Sequence, residues 1–241
     1  MTKNAGSDRA ATVEQLERLG QAASRRVEAG QRVGLGSGKA ALAFVRALGE
    51  RVRGEGLKIV GVPTSVLTER VAREAGIEVA TLEEVAHLDI AIDGADEVDP
   101  ALNVIKGGGG NLLREKVVES LAAHLIIVVG EEKLVETLGT KFPVFVEVVE
   151  FARPVLVRQI SAMGATVTQR MAADGKAFLT DNGNPYLHCR FPPGLLGDPA
   201  AVDTQLRALA GVVGTGLFVG MAAEAMVARF DGGIETLKPR K

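Results

Sequence analysis

Tryptophan is missing from these 241 residues, tyrosine occurs once and aromatics make up 4% of the chain, so aliphatic side chains must carry the core. Cysteine also occurs once, at Cys189, which excludes an intrachain disulfide and fits a reducing cytoplasm. Its neighbour is His188, but adjacent residues rarely converge on one metal ion, and the thiol reads as inert. Basic charge is in no excess: 28 Lys and Arg stand against 30 Asp and Glu, a net charge of −2, so the footprint of a nucleic-acid binder is absent. A small anionic ligand needs only a local positive field and stays open. "MTKNAGSDRA" at the start has no apolar stretch of the kind a signal peptide needs. The longest uncharged run, 208–223, is short for a membrane span and contains four glycines, so it reads as buried strands with a turn. His87, His124 and His188 are scattered, each reads as structural, and no metal-ligand spacing is present; neither metal nor cofactor is expected.

What the chain does have is a rhythm of strands and helices. Residues 12–29 read as an amphipathic helix stopped by Gly30, and 32–40 as a strand, a Gly-rich turn and the start of a helix that runs through Leu48. A strand over 57–62 leads into a helix with Pro63 near its start and Gly76 after its end. Strands over 77–80, 88–93 and 125–130 follow, with a helix over 111–123. Unbroken apolar strands alternating with helices imply an α/β, doubly wound, mainly parallel sheet of Rossmann-like type. After about residue 140 the order becomes strand 143–149, helix 152–163, strand 165–170, hairpin 178–191 around Asn182-Gly183, helix 198–209 and strand 211–216. That is the β-α-β-β-α-β order of a ferredoxin-like unit. The expected division is 1–138 with 217–241 as the larger domain, and 139–216 as a smaller inserted α+β domain.

The turn "GLGSGKA" fails two familiar tests. A P-loop would need Gly where Val33 stands and Ser or Thr where Ala40 stands, and a dinucleotide fingerprint would need Gly in place of Lys39. What remains is a strand, a turn and a helix start with a Ser and a Lys. Free amides and the helix dipole there suit a phosphate, with Lys39 adding full charge. A tight β-α turn whose glycines only relieve crowding fits the same residues.

Two further stretches stand out. "DIAIDGADEVDP" places Asp93, Asp96, Glu97 and Asp99 just past a buried strand, at the edge where open parallel sheets bind ligands. Such acids can equally cap the next turn. "KGGGGNLLREK" sets Lys106 before four glycines that are costly to order, a run that lets backbone approach a ligand or forms a nest of amides for an anion. Glu115 follows on the next helix, where one member of a solvated "REK" face is the plain alternative. Carboxylates, a lysine and two Gly-rich loops together suit a phosphorylated polyol and proton shuttling beside a carbonyl: a carboxylate removes a carbon-bound proton, and a lysine stabilises the oxyanion that develops.

In order along residues 20–235, "AIDGADEVD", "KGGGGNLLREKVV", "KFPVFVEVV", "TDNGN" and "GVVGTGLF" resemble ribose-5-phosphate isomerase, type A. The resemblance implies interconversion of ribose 5-phosphate and ribulose 5-phosphate through a cis-enediolate, without metal, in the non-oxidative pentose phosphate pathway, by a cytoplasmic homodimer or homotetramer. It implies that Glu115 is the base, that Lys106 stabilises the enediolate oxygens, and that Asp93 and Asp96 bind sugar hydroxyls and assist ring opening. Gly94, Ala95, Gly107, Gly108 and Gly109 are then substrate-binding backbone, and Lys133 a lysine near the phosphate. The family's phosphate turn reads Gly-Thr-Gly-Ser-Thr, whereas here it is Gly36-Ser37-Gly38-Lys39-Ala40. The family's phosphate lysine in the first helix is also absent, the matching region being Leu16-Glu17 with Arg18 nearest, and Lys39 is expected to take its place. A sugar-phosphate sensor module and an isomerase of another phosphorylated sugar are the alternatives. The short, weakly basic segment before Val33 speaks against a sensor that binds DNA.

Overall fold

The structure, a computed structural model, describes residues 10–192 and 196–240. The reading of the N-terminus as lacking a signal peptide falls, for residues 1–9, outside the described residues. The chain begins with α1 (Val13–Ser24), β1 (Arg32–Leu35), α2 (Gly38–Glu55), β2 (Val60–Pro63), α3 (Val66–Glu74), β3 (Glu78–Val79) and β4 (Ile90–Asp93). Next come β5 (Glu97–Val98), β6 (Val104–Ile105), α4 (Leu112–Ser120) and β7 (Leu125–Gly130). Then follow β8 (Val144–Val148), α5 (Arg153–Ala162), β9 (Thr166–Gln169), β10 (Tyr186–Arg190) and α6 (Pro199–Arg207). Four strands close the chain: β11 (Val212–Thr215), β12 (Leu217–Phe218), β13 (Glu224–Ala228) and β14 (Ile234–Leu237).

The chain divides into two compact units. The first holds the residues up to Gly94, Val118–Leu134 and Ala222–Pro239. Its sheet has the order β14-β13-β7-β4-β1-β2-β3, with every neighbouring pair parallel except β13 and β14. Strands β4 and β7 are buried along their whole length, which is why they read as continuous apolar runs. Leu19 and Ala23 of α1 and Phe44, Val45 and Leu48 of α2 share one core with Val33, Leu35, Ile92 and Val128. Val62, Leu88 and Val118 form a second cluster, in which Val118 belongs to the last part of α4. Thr12 starts α1 through a reciprocal capping box with Gln15. Helix α2 runs past the expected end at Leu48 to Glu55, where Gly56 in the left-handed region ends it, and Gly49 lies inside the helix where Ala75 packs so close that a side chain would collide.

The second unit holds Ala95–Val117, Val135–Met221 and the last residues. Its four-stranded antiparallel sheet, β11-β8-β10-β9, with α5 and α6 in sequence between the strands, is the ferredoxin-like arrangement expected. A separate three-stranded antiparallel sheet, β12-β6-β5, belongs to the same unit. Residues 95–117, 135–138, 217–221 and 240, expected in the larger domain, lie in the second unit. Strand pairing draws 95–117 and 217–221 together there: β12 pairs with β6, and the Lys106 amide donates to the Gly216 carbonyl at 2.9 Å. The expected hairpin over 178–191 is also rearranged. The turn at Asn182-Gly183 exists, but its arms meet only in a single Leu179–Pro185 bridge, and β10 spends its length pairing with β8 and β9.

Candidate active site

In the first unit, β1, β4 and β7 are sheet neighbours and run parallel, so the residues after them share one carboxyl edge. After β1 come Gly36 and Ser37, then Gly38 with φ +86 and the exposed Lys39, with half-buried Ala40 in the first turn of α2. Asp93 ends β4 and is 1% exposed. Its Oδ1 accepts the Ser37 amide at 2.8 Å and the Gly94 amide at 2.6 Å. Lys133 follows β7 on a 3-10 turn and is half-buried. The Gly-rich turn thus gathers around a carboxylate on its inner side, and its helix start carries a solvent-facing lysine.

A set of buried hydroxyls, not anticipated from the sequence, fixes this turn. Ser37 Oγ lies 2.7 Å from Thr64 Oγ1 and 3.3 Å from Thr68 Oγ1. Thr68 Oγ1 donates to the Gly36 carbonyl at 3.0 Å, and Thr64 Oγ1 to the Leu35 carbonyl at 3.1 Å. The signal for them was present: "PTS" leaves β2 at the same carboxyl edge, and Ser65 caps α3.

In the second unit, Lys106 leaves β6 and Glu115 stands on the first turn of α4. Lys106 is 2% and Glu115 5% exposed, and Lys106 Nζ lies 3.7 Å from Glu115 Oε2. The ammonium also stands 5.5 Å from the centroid of the Phe218 ring. Burying such a pair gains little stability, because desolvation offsets attraction, so its presence points toward chemistry. Glu115 is accordingly no member of a solvated face. The glycines between them are held on both sides. Asp96 is half-buried, and its Oδ2 accepts the Gly108 amide at 2.7 Å. Gly107 has φ +113, and a side chain there would collide with the Tyr186 hydroxyl. That hydroxyl donates to the Gly107 carbonyl at 2.6 Å, Arg170 Nη1 donates to the Gly108 carbonyl at 3.1 Å, and Gly109 is exposed.

Tyr186 and Arg170 were not found from the sequence. Tyr186 is the chain's one tyrosine and follows the Asn182-Gly183 turn, but nothing in its spacing tied it to residue 107. Burial pushes its phenol well above the ordinary 10.0, and the charges of Glu115, Asp96 and Glu147 push the same way against Arg170. It therefore stays a neutral donor. Cys189 is buried and its thiol is pushed up to about 12 by burial, which makes it inert. Among the described residues no group of His, Cys, Asp and Glu is placed to hold a metal ion, and no helix is long and apolar enough to cross a membrane.

Known proteins share this sequence and fold. The family model described as Ribose 5-phosphate isomerase A (phosphoriboisomerase A) matches residues 60–232. Ribose-5-phosphate isomerase A of Synechococcus sp. (strain JA-3-3Ab) is 49% identical over 219 residues, covering 90% of this chain and 94% of that protein. Its counterpart in Roseiflexus sp. (strain RS-1) is 43% identical over 224 residues, covering 92% and 95%. The solved ribose 5-phosphate isomerase A from Methanocaldococcus jannaschii matches with a TM-score of 0.90 at 35% identity, over 95% of this chain and 100% of that one. A D-ribose-5-phosphate isomerase solved with phospho-erythronic acid matches with the same TM-score and identity.

Proposed function

We propose a division of labour among these residues that proceeds from one premise: the chain belongs to the ribose 5-phosphate isomerase A family. It interconverts ribose 5-phosphate and ribulose 5-phosphate. In the open-chain aldose the C2 proton is acidified by the C1 aldehyde. Glu115 removes that proton, the electrons move onto the aldehyde oxygen, and a cis-enediolate forms. The C2 hydroxyl proton then passes to the C1 oxygen, Glu115 returns its own proton to C1, the C2 oxygen becomes the ketone, and ribulose 5-phosphate results. The reverse reaction follows the same steps backward.

The observation that carries this reading is the buried Lys106–Glu115 pair at 3.7 Å. Before proton transfer, the ammonium balances the carboxylate. Once Glu115 takes the proton it is neutral, and at that moment the enediolate oxygens become negative. The charge of Lys106 therefore has an anion to balance at each stage without leaving its place, which is how a preorganised electrostatic site lowers a barrier. Asp93 and Asp96, fixed by the Ser37, Gly94 and Gly108 amides, bind sugar hydroxyls and assist ring opening. The Gly36–Ala40 turn, with Lys39 and Lys133, takes the phosphate, and Gly94, Ala95 and Gly107–Gly109 offer backbone to the sugar. The reading extends to a cytoplasmic homodimer or homotetramer, supported by the lone thiol and by the resemblance of the sequence to its family.

The test is isomerisation of ribose 5-phosphate by the purified protein, with and without EDTA, beside Glu115→Gln. Activity that survives EDTA and falls by at least about a thousandfold in the variant is expected, since proton transfer has then lost its base. A Glu115→Gln enzyme with near-normal kcat would remove Glu115 from the role.

A further inference from the structure

Glu147 plays no part in the chemistry above, yet it is fully buried on β8. Its Oε1 accepts three hydrogen bonds from side chains of one turn: Thr180 Oγ1 at 3.0 Å, Asn182 Nδ2 at 3.1 Å and Asn184 Nδ2 at 2.9 Å. All three donors are neutral. The turn also closes on itself, with the Thr180 amide donating to the Asn184 carbonyl at 3.0 Å and the Gly183 amide to the Thr180 carbonyl at 2.9 Å.

The orientation of Asn182 is what gives this cluster reach. Its amide nitrogen is committed to Glu147, so its oxygen points away, and that oxygen accepts from Arg114 Nε at 2.9 Å. Arg114 Nη2 donates to the Asp181 carbonyl at 2.9 Å, and its Nη1 lies 3.8 Å from the Asp181 carboxylate. Arg114 immediately precedes Glu115 in the first turn of α4. An unbroken series of hydrogen bonds therefore runs from a buried carboxylate, through one turn, to the residue next to the base.

We propose that Glu147 is a positioning residue for proton transfer, acting through Asn182 and Arg114 to fix the turn of α4 that carries Glu115; this rests on Glu115 being the base. Proton abstraction from carbon is sensitive to small displacements of the base, whereas binding of the phosphate and hydroxyls by other residues is not. Loosening the series should therefore lower kcat and leave KM almost alone.

The experiment measures kcat and KM for ribose 5-phosphate in Glu147→Ala, Glu147→Gln, Asn182→Ala, Arg114→Ala and the double variant Asn182→Ala/Arg114→Ala. The alanine variants are expected to lose about 10- to 100-fold in kcat with KM within about threefold. Glu147→Gln keeps a carbonyl oxygen for the same three donors and should stay within about threefold of wild type. The double variant should be no slower than its slower parent within about twofold, because both changes break one series. Asn182 is exposed and Arg114 half-exposed, so these variants read the series even if Glu147→Ala does not fold. Losses that multiply in the double variant would overturn the proposal, as would Glu147→Gln failing as badly as Glu147→Ala, or effects confined to KM. Glu115→Gln measured alongside separates the two claims. An active Glu115→Gln removes the base assignment, and an inactive one with multiplying Asn182 and Arg114 losses removes the positioning role alone.

Discussion

Tyr186 offers a clean measurement, because it is the one tyrosine of a chain without tryptophan, so tyrosinate absorbance reports this residue alone. The perturbation is Tyr186→Phe, followed against pH. Its hydroxyl donates to the Gly107 carbonyl at 2.6 Å, and the same carbonyl also accepts the Gly110 amide at 2.9 Å. Removing the hydroxyl leaves a buried carbonyl with one partner of two, so the loss belongs at the low end, about 1 kcal/mol. The folded phenol titrates well above 10.0, pushed there chiefly by burial. A group whose folded pKa lies above its unfolded value gives stability that is complete below the unfolded value and is lost as pH rises toward the folded one. One pH unit above 10.0 the unfolded phenol is mostly ionised, which favours unfolding by about 1.4 kcal/mol. Lysines titrating in that range affect wild type and variant alike and cancel in the difference. Denaturant melts should then show wild type more stable by about 1 kcal/mol at neutral pH, with the two curves meeting roughly one pH unit above 10.0. In parallel, the folded protein should show no tyrosinate band at pH 10.0. Stability curves that stay parallel, or a tyrosinate midpoint near the ordinary value in folded protein, would refute the burial and bonding of this hydroxyl.

On the proposed phosphate role of Lys39, Lys39→Ala should raise KM for ribose 5-phosphate at least about tenfold while kcat falls less. A KM within about twofold of wild type in steady-state kinetics would show that Lys39 does not replace the family's phosphate lysine. Glu224, buried on β13, is pushed up by burial, but Lys238 at 2.7 Å, Arg26 at 2.6 Å and His124 at 3.5 Å outweigh that and hold it below 4.5. A depressed carboxylate gives stability that is present above its unfolded pKa and lost as pH falls through the folded one. Glu224→Gln should therefore flatten the acid limb of a stability-against-pH curve, and an unchanged limb would count against the pairing.

Long elements were legible in the sequence because burial on both faces leaves an unbroken apolar run, as in β4 and β7. Strands β5, β6 and β12 have two residues each, too few for any period to show, and with the bonds of Tyr186, Arg170 and Arg114 they keep residues 95–117 in the second unit. Strand β14 went unread for a different reason: Ile234, Glu235 and Thr236 are all exposed on an edge strand, so no alternation marks it. At the candidate site, glycines, acids and the lysine announced themselves by type and crowding. Tyr186, Arg170 and Glu147 did not, since each acts on a loop far away in sequence and carries no local pattern.

The crowd of acids at 93–99 resolves into one recurrent contact, a carboxylate gathering backbone amides. Asp93 takes those of Ser37 and Gly94, Asp96 that of Gly108, and Asp99 that of Asn103. Glu97, fully buried, takes Gly139 and Phe142 at 2.6 Å each, and Lys141 as well. Glycine-rich backbone is costly to order and exposes many donors, and a carboxylate is the side chain that can satisfy several donors at once. Capping a turn and serving a substrate are therefore not rival roles. A carboxylate already fixed by amides has lost its rotamer freedom on folding, so orienting a sugar hydroxyl against it costs little further entropy. Glu97 and Asp99 tie down their own surroundings, whereas Asp96 holds the glycine loop that separates Lys106 from Glu115. One hydrogen bond to Gly108 thus joins the acidic stretch to the loop that sets Lys106 and Glu115 apart, so the two unusual stretches of sequence meet in the fold.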